Sequence, residues 1–174
     1  MEQTRRSCYS VSRAALAFEE AVLPEYDDER HESWKHRLEE SGGNVILALG
    51  LRPISADEEH AVMEMPHGPN VRQGTGVFAA GALIQLADVA ATMVCFRALD
   101  PSGKDESTPF PLSIQISANL LRNTDRGKAI ADARIVHKGR TMLVVESEVR
   151  DDRGRLLAIV NSTHLVGRRR PPAG

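Results

Sequence analysis

From Gly74 to Phe96 the chain reads GTGVFAAGALIQLADVAATMVCF, twenty-three residues that carry one carboxylate, Asp88, and no Glu, Lys or Arg. Asp is a poor helix former, and an ionised carboxylate is costly to bury without partners, so Asp88 is either paired structurally or does chemistry. About 20 apolar residues suffice to cross a bilayer. This segment is nevertheless rich in Gly, Gln, Asp and Thr, is closed by Arg97, and is followed by amphipathic strands. A buried helix over about Ala79 to Leu99 is therefore expected, and no membrane association.

The remaining chain supplies what such a helix needs for cover. VSRAALAFEEAVL and DDERHESWKHRLEE read as helices, the second with acids first and bases later, as suits a helix dipole. Ser41-Gly42-Gly43 breaks that pattern, and NVILALGLRP is either a helix end or a strand. HAVMEMP, from His60 to Pro66, alternates like a strand, and Pro66, Gly68, Pro69 and Gly74 mark a loop entering the helix. After the loop DPSGKDESTP, Leu112, Ile114, Ile116, Ala118 and Leu120 alternate with Ser113, Gln115, Ser117 and Asn119. KAIADARIV, TMLVVESEVR and RLLAIVNSTHLV are three more strands, joined by the hairpin-sized turns HKGR and DDRG. A strand, a long helix and four strands suit an antiparallel sheet with the helix laid on one face, because the helix is too apolar to be left in water.

At 174 residues, with 41% hydrophobic and 26% charged, the chain has the balance of one folded soluble domain. A net charge of -2 with 4% aromatic residues gives no basic footprint or stacking platform for nucleic acid. Cys8 and Cys95 are too few for a disulfide framework, and the first ten residues lack the apolar core of a signal peptide, so a reducing cytoplasm is expected. The six histidines form no metal-ligand grouping, and no metal or cofactor is expected. GxxxxGK, GxGxxG and GxSxG patterns are absent in usable context, which removes nucleotide-dependent and serine-hydrolase readings.

At 100° per residue, Gly81, Gln85, Asp88, Thr92 and Cys95 fall within about 80° of one helix face. A stripe without Lys, Glu or Arg is unlike an ordinary solvent-facing surface and points to a sheltered cleft or interface. Thr92 lies one turn beyond Asp88 and can share a water with it, while Gly81 lies near the helix start, where free N–H groups can bind a developing oxyanion. Carboxylate, water and oxyanion donors on one face suit hydrolysis of an activated acyl group, with Asp88 as nucleophile or as general base.

GTGVFAAGALIQLADVAAT, PLSIQISANLLRN and KAIADARIVHKGRTMLVVESEVRDDRGRLLAIVNSTHLV resemble the hotdog-fold acyl-CoA thioesterases of the phenylacetate-degradation and 4-hydroxybenzoyl-CoA type, over roughly Ile54 to Val166. That family has His-Gly-Gly at the helix start and an acidic residue seven positions after the last Gly, a spacing that Gly81 and Asp88 match. One branch adds a Thr four residues after the acid and a Gln fifteen before it, matched by Thr92 and Gln73. The resemblance implies Asp88 as nucleophile or base, Thr92 orienting water, Gln73 positioning thioester or water, and Ser113 assisting. Here Ala79-Ala80 replaces His-Gly; the imidazole is lost, but the Ala80 N–H remains as oxyanion donor. His137, Lys138, Gly139 and Arg140 form a basic turn suited to the phosphates of coenzyme A, and Arg122 flanks a loop directed to the same nucleotide.

The expectation is an α+β hotdog fold: a helical extension over 1–53, a thioesterase-like domain over 54–167 and a flexible basic tail over 168–174. The implied assembly is a homodimer or homotetramer with the site between subunits. Acyl-CoA hydrolysis leads. Its rivals are a noncatalytic acyl-CoA binding or sensing protein on the same fold and a structural oligomerisation module. A dehydratase is disfavoured, since no His accompanies the helix carboxylate in the sequence.

Overall fold

The structure, a computed structural model, describes residues 32, 35, 36, 39, 40, 44–105 and 107–167. The helix expected before Pro24 and the basic tail over 168–174 lie outside the described residues. Of the second N-terminal helix, Glu32, Lys35, His36, Glu39 and Glu40 are described, and they are helical.

The ambiguous segment NVILALGLRP divides. Asn44 accepts from the N–H groups of Ile46 and Leu47 and starts a short helix, α1 (Val45–Leu49), which Gly50 ends in the left-handed region at φ 65°. The chain then enters β1 (Arg52–Ala56) and β2 (His60–Pro66), which pair antiparallel. Sequence alone does not reveal β1, because it is five residues long, contains Pro53 and shifts register between Pro53 and Ser55.

The long helix α2 (Ala80–Leu99) follows, then β3 (Leu112–Leu120), β4 (Lys128–Lys138), β5 (Met142–Asp151) and β6 (Leu156–Leu165). The six strands form one antiparallel sheet in the order β1-β2-β4-β5-β6-β3. With the helix lying across its face, this is the expected hotdog architecture.

Alternation in the strands decides which residues meet the helix. Ala129, Ala131 and Ala133 of β4, Leu143, Val145 and Val149 of β5, and Ala158 and Val160 of β6 are buried beneath it. The helix contributes Ala82, Leu83, Leu86, Ala87, Ala90, Ala91, Val94, Cys95 and Ala98. Alanine on both sides lets helix and sheet approach closely, while Leu83, Leu86, Met63 and Phe78 supply the larger buried areas, each about 1.5–3 kcal/mol. The long apolar character of α2 is thus explained by one face packed in this core.

The opposite face of α2 is not a charged surface. Ile84, Gln85, Asp88, Val89, Thr92, Met93 and Phe96 are partly exposed there. The expected stripe holds except at its edge: Cys95 is fully buried, and burial pushes its thiol up to about 12, so it is a core residue rather than a nucleophile.

The two sheet edges differ. Short β1 is blunted by its proline and irregular register, whereas β3 runs nine residues without Pro or Lys and exposes Leu112, Ile114, Ile116 and Leu120. Its regular alternation is interrupted by a bulge between Ser113 and Gln115.

Candidate active site

The segment entering α2 is fastened at several points. Arg72 and Phe78 form an isolated bridge, the Gln73 N–H donates to the Val77 carbonyl (2.9 Å), and Gly76 turns the chain at φ 89°. Phe78 is fully buried; its N–H donates to the Thr124 carbonyl and its own carbonyl accepts from Asn123 Nδ2 at 2.8 Å. The His67 ring stands edge-on to Phe78 and donates to the Gly76 carbonyl at 2.8 Å. These bonds fix where the helix begins.

Ala79 caps α2 in an extended conformation without a side-chain bond, and its carbonyl accepts from Ala82 and Leu83. The N–H groups of Ala80 and Gly81 therefore precede the helical ladder, at the positive end of the dipole, on an exposed turn. A Cβ on Gly81 would meet nothing within 4 Å, so packing inside the chain does not call for glycine there. The space beside it is open to a ligand.

Two turns along, Asp88 Oδ1 accepts a 2.6 Å hydrogen bond from Ser113 Oγ of β3, while Oδ2 takes none from any described residue. Simple alternation assigns Ser113 to the polar face with Gln115, Ser117 and Asn119. The bulge overturns that: Ser113 stands opposite His164, in the same inward series as Ile116 opposite Ser162 and Ala118 opposite Val160. The strand irregularity is what delivers the hydroxyl to the carboxylate.

Sequence reasoning missed His164. It is fully buried on β6, with Nδ1 3.4 Å from Ser113 Oγ and Nε2 2.9 Å from Ser162 Oγ. Burial holds its pKa below the usual imidazole range, against the opposing influence of the Pro111 carbonyl and the Asp88 charge. The inward series Ala158, Val160, Ser162, His164 turns polar at the end that meets Asp88, a signal readable once the strand pairing is known. A histidine thus does accompany the helix carboxylate, through Ser113. Being sealed from solvent, it lends nothing to a dehydratase reading.

The other expected residues are distributed less tightly. Thr92 is partly exposed one turn beyond Asp88. Gln73 is exposed and spends its amide on Thr75 Oγ1 at 3.0 Å rather than on Asp88. Lys138 Nζ donates to the Ala98 carbonyl at 2.8 Å, which puts the His137-Lys138-Gly139-Arg140 turn at the C-terminal end of α2. Arg122 precedes Asn123, which bonds Phe78 at the helix start. A helix of twenty residues spans about 30 Å. Within one chain, Arg122 and the basic turn therefore do not converge, contrary to the expectation of a shared nucleotide.

Residues 75–158 match the model of the thioesterase superfamily. A Bacillus subtilis protein named "Putative esterase ComA2" is 30% identical over 122 residues, covering 70% of this chain and 93% of that one. The 1,4-dihydroxy-2-naphthoyl-CoA hydrolase of Listeria monocytogenes is 27% identical over 122 residues, covering 70% and 94%. A thioesterase from Haemophilus influenzae superposes with a TM-score of 0.69 at 21% identity, covering 80% of this chain and 94% of that one. By sequence, fold and a carboxylate presented on the open face of its central helix, the chain belongs to the thioesterase superfamily.

Proposed function

We propose that this protein hydrolyses acyl-CoA thioesters to the free acid and coenzyme A, with Asp88 as the reacting carboxylate. The observation that carries this reading is the state of Asp88: Oδ1 is held by Ser113, while Oδ2 takes no hydrogen bond from any described residue and lies on an open helix face. The thioester carbonyl oxygen binds the unladdered N–H groups of Ala80 and Gly81 from the other chain of a shared site, because seven residues of helix put those of the same chain about 10 Å from Asp88, farther than one carbonyl group spans. Asp88 Oδ2 then either attacks the carbonyl carbon, expelling the CoA thiolate and leaving an anhydride that water cleaves, or takes a proton from a water that attacks the carbonyl carbon directly, the CoA thiolate leaving as the tetrahedral adduct collapses. Thr92 orients that water. The Listeria relative, named for an acyl-CoA substrate, supports this substrate class. A Staphylococcus aureus thioesterase at about 20% identity has been solved with a Gln and with a Glu replaced by Ala, fifteen positions apart, the spacing of Gln73 and Asp88 here. Thiol release from a panel of aromatic and aliphatic acyl-CoAs tests the proposal, and absence of turnover across the panel would sink it.

The active unit is at least a homodimer. An unprotected nine-residue edge strand and an apolar, nearly uncharged helix face support two copies joined along β3, with Gln73 of one chain approaching Asp88 of the other. Ile116→Lys on β3 is expected to shift the protein to monomer in analytical ultracentrifugation and to remove turnover with it. An active monomer would contradict a shared site.

Coenzyme A phosphates are then met by Arg122 and Arg140, both exposed and unpaired among the described residues, from different chains. Arg140→Ala should raise KM about tenfold at unchanged kcat, the worth of one charge-assisted contact. Lys138→Ala should instead lower stability by about 0.5–1 kcal/mol through loss of its bond at the helix C-terminus, leaving KM in place. Equal KM for wild type and Arg140→Ala would remove that turn from the nucleotide site.

A noncatalytic acyl-CoA sensor is the second reading, favoured by Ala79 standing at the helix start with no side-chain donor. Its signature is acyl-CoA binding in calorimetry without thiol release.

A further inference from the structure

We infer that His164 is a positioning residue for the reaction: its Nδ1–H holds Ser113 Oγ in place, so that the Ser113 hydroxyl proton stays on Asp88 Oδ1 and Oδ2 remains the reacting oxygen. The inference rests on Asp88 being the reacting carboxylate, and it extends to a residue that never touches substrate.

Proton counting leads there. A serine hydroxyl has one hydrogen, and that of Ser113 is committed to Asp88 at 2.6 Å, the length of a charge-assisted bond. Ser113 Oγ can therefore only accept from His164 Nδ1 at 3.4 Å, so Nδ1 carries the ring proton, which it shares between Ser113 and the Pro111 carbonyl, the ring's other acceptor. Burial disfavours the charged imidazolium, as its lowered pKa reflects, and the ring is neutral. Nε2 is then bare and accepts from the Ser162 hydroxyl at 2.9 Å. Every bond in the line Ser162, His164, Ser113, Asp88 donates toward the carboxylate.

The surroundings make this orientation hold. His164 and Ser162 are 0% and 1% exposed, so water cannot compete for the ring. Register fixes the pair as well, since Ser113 lies directly opposite His164 and Leu143 lies on its other side. Among the described residues, Asp88 is the charged group that influences the ring. A serine left without this donor can rotate its hydroxyl to the solvent side of Asp88, and both carboxylate oxygens then become free to turn.

The test is kinetic, on the full-length oligomer with the best acyl-CoA from the panel, comparing His164→Phe, Ser113→Ala, the double variant, His164→Asn and Asp88→Asn. His164→Phe should lower kcat about tenfold with KM within about twofold, as expected for loss of one orienting hydrogen bond. In the Ser113→Ala background the same change should cost less than about twofold, because His164 acts through Ser113. Asn, whose amide nitrogen can take the place of Nδ1, should keep at least about a third of wild-type kcat. An equal cost of His164→Phe in both backgrounds, or Asn as slow as Phe, would overturn the inference and leave His164 a packing residue. Nitrogen NMR of the wild-type ring reads the same claim without any variant: a proton on Nδ1 is expected, and one on Nε2 overturns it. Substantial turnover by Asp88→Asn would instead overturn the reading of Asp88 itself. Loss of turnover there with full activity in His164→Phe removes only the role of His164.

Discussion

Asp88→Asn is expected to lower kcat for acyl-CoA hydrolysis by about 10²–10⁴-fold, the range of a positioned carboxylate acting as base or nucleophile. The substitution is nearly isosteric. Asn can still accept from Ser113 through its carbonyl oxygen, so the 2.6 Å link between helix and edge strand has a replacement and the fold should persist. What disappears is the anionic second oxygen. Binding should suffer less than turnover, because the N–H groups of Ala80 and Gly81 are untouched. Thiol release at saturating substrate, beside a thermal melt and a sedimentation profile matching wild type, checks it. A variant that keeps a tenth of the wild-type rate would assign the chemistry elsewhere.

Phe78→Ala should destabilise the protein by about 3–5 kcal/mol, the usual cost of removing a buried aromatic ring. Phe78 is among the largest fully buried side chains, and it sits where three devices meet: the bond from Asn123, the pairing with Thr124 and the edge contact with His67. Losing the ring leaves a cavity directly under the entry to α2. The melting temperature should fall by on the order of 10 °C. Activity should fall further than the folded fraction accounts for, because the oxyanion donors at Ala80 and Gly81 lose their anchor. A loss below 1 kcal/mol in urea unfolding would mean that the backbone bonds alone hold the loop.

Much of this arrangement is legible in the sequence. The run from Gly74 to Phe96 locates the helix to within a residue at its start, because nothing else in the chain is so long and apolar. Strands β2, β4, β5 and β6 announce themselves by alternation and by turn-sized gaps. Asp88 stands out as a charge among apolar neighbours. β1 stays hidden because five residues with a proline carry no period. His164 stays hidden for a different reason: its partner is fifty-one positions away, and only the pairing of β3 with β6 joins them. The divergence of Arg122 from the basic turn is likewise a property of helix length and strand order, which composition does not encode.

The bulge in β3 has a bearing on how such a site tolerates changes in chain length. In a straight strand, Ile114 rather than Ser113 would face His164, since Gln115 already stands opposite Thr163. Ile114 is thus a supernumerary residue, 57% exposed, inserted between the serine and the frame of the remaining strand. Deleting it would erase the bulge yet leave Ser113 facing His164, whereas an added residue at the same point would carry the serine out of reach. The site thus tolerates the loss of a residue at this point but not the gain of one.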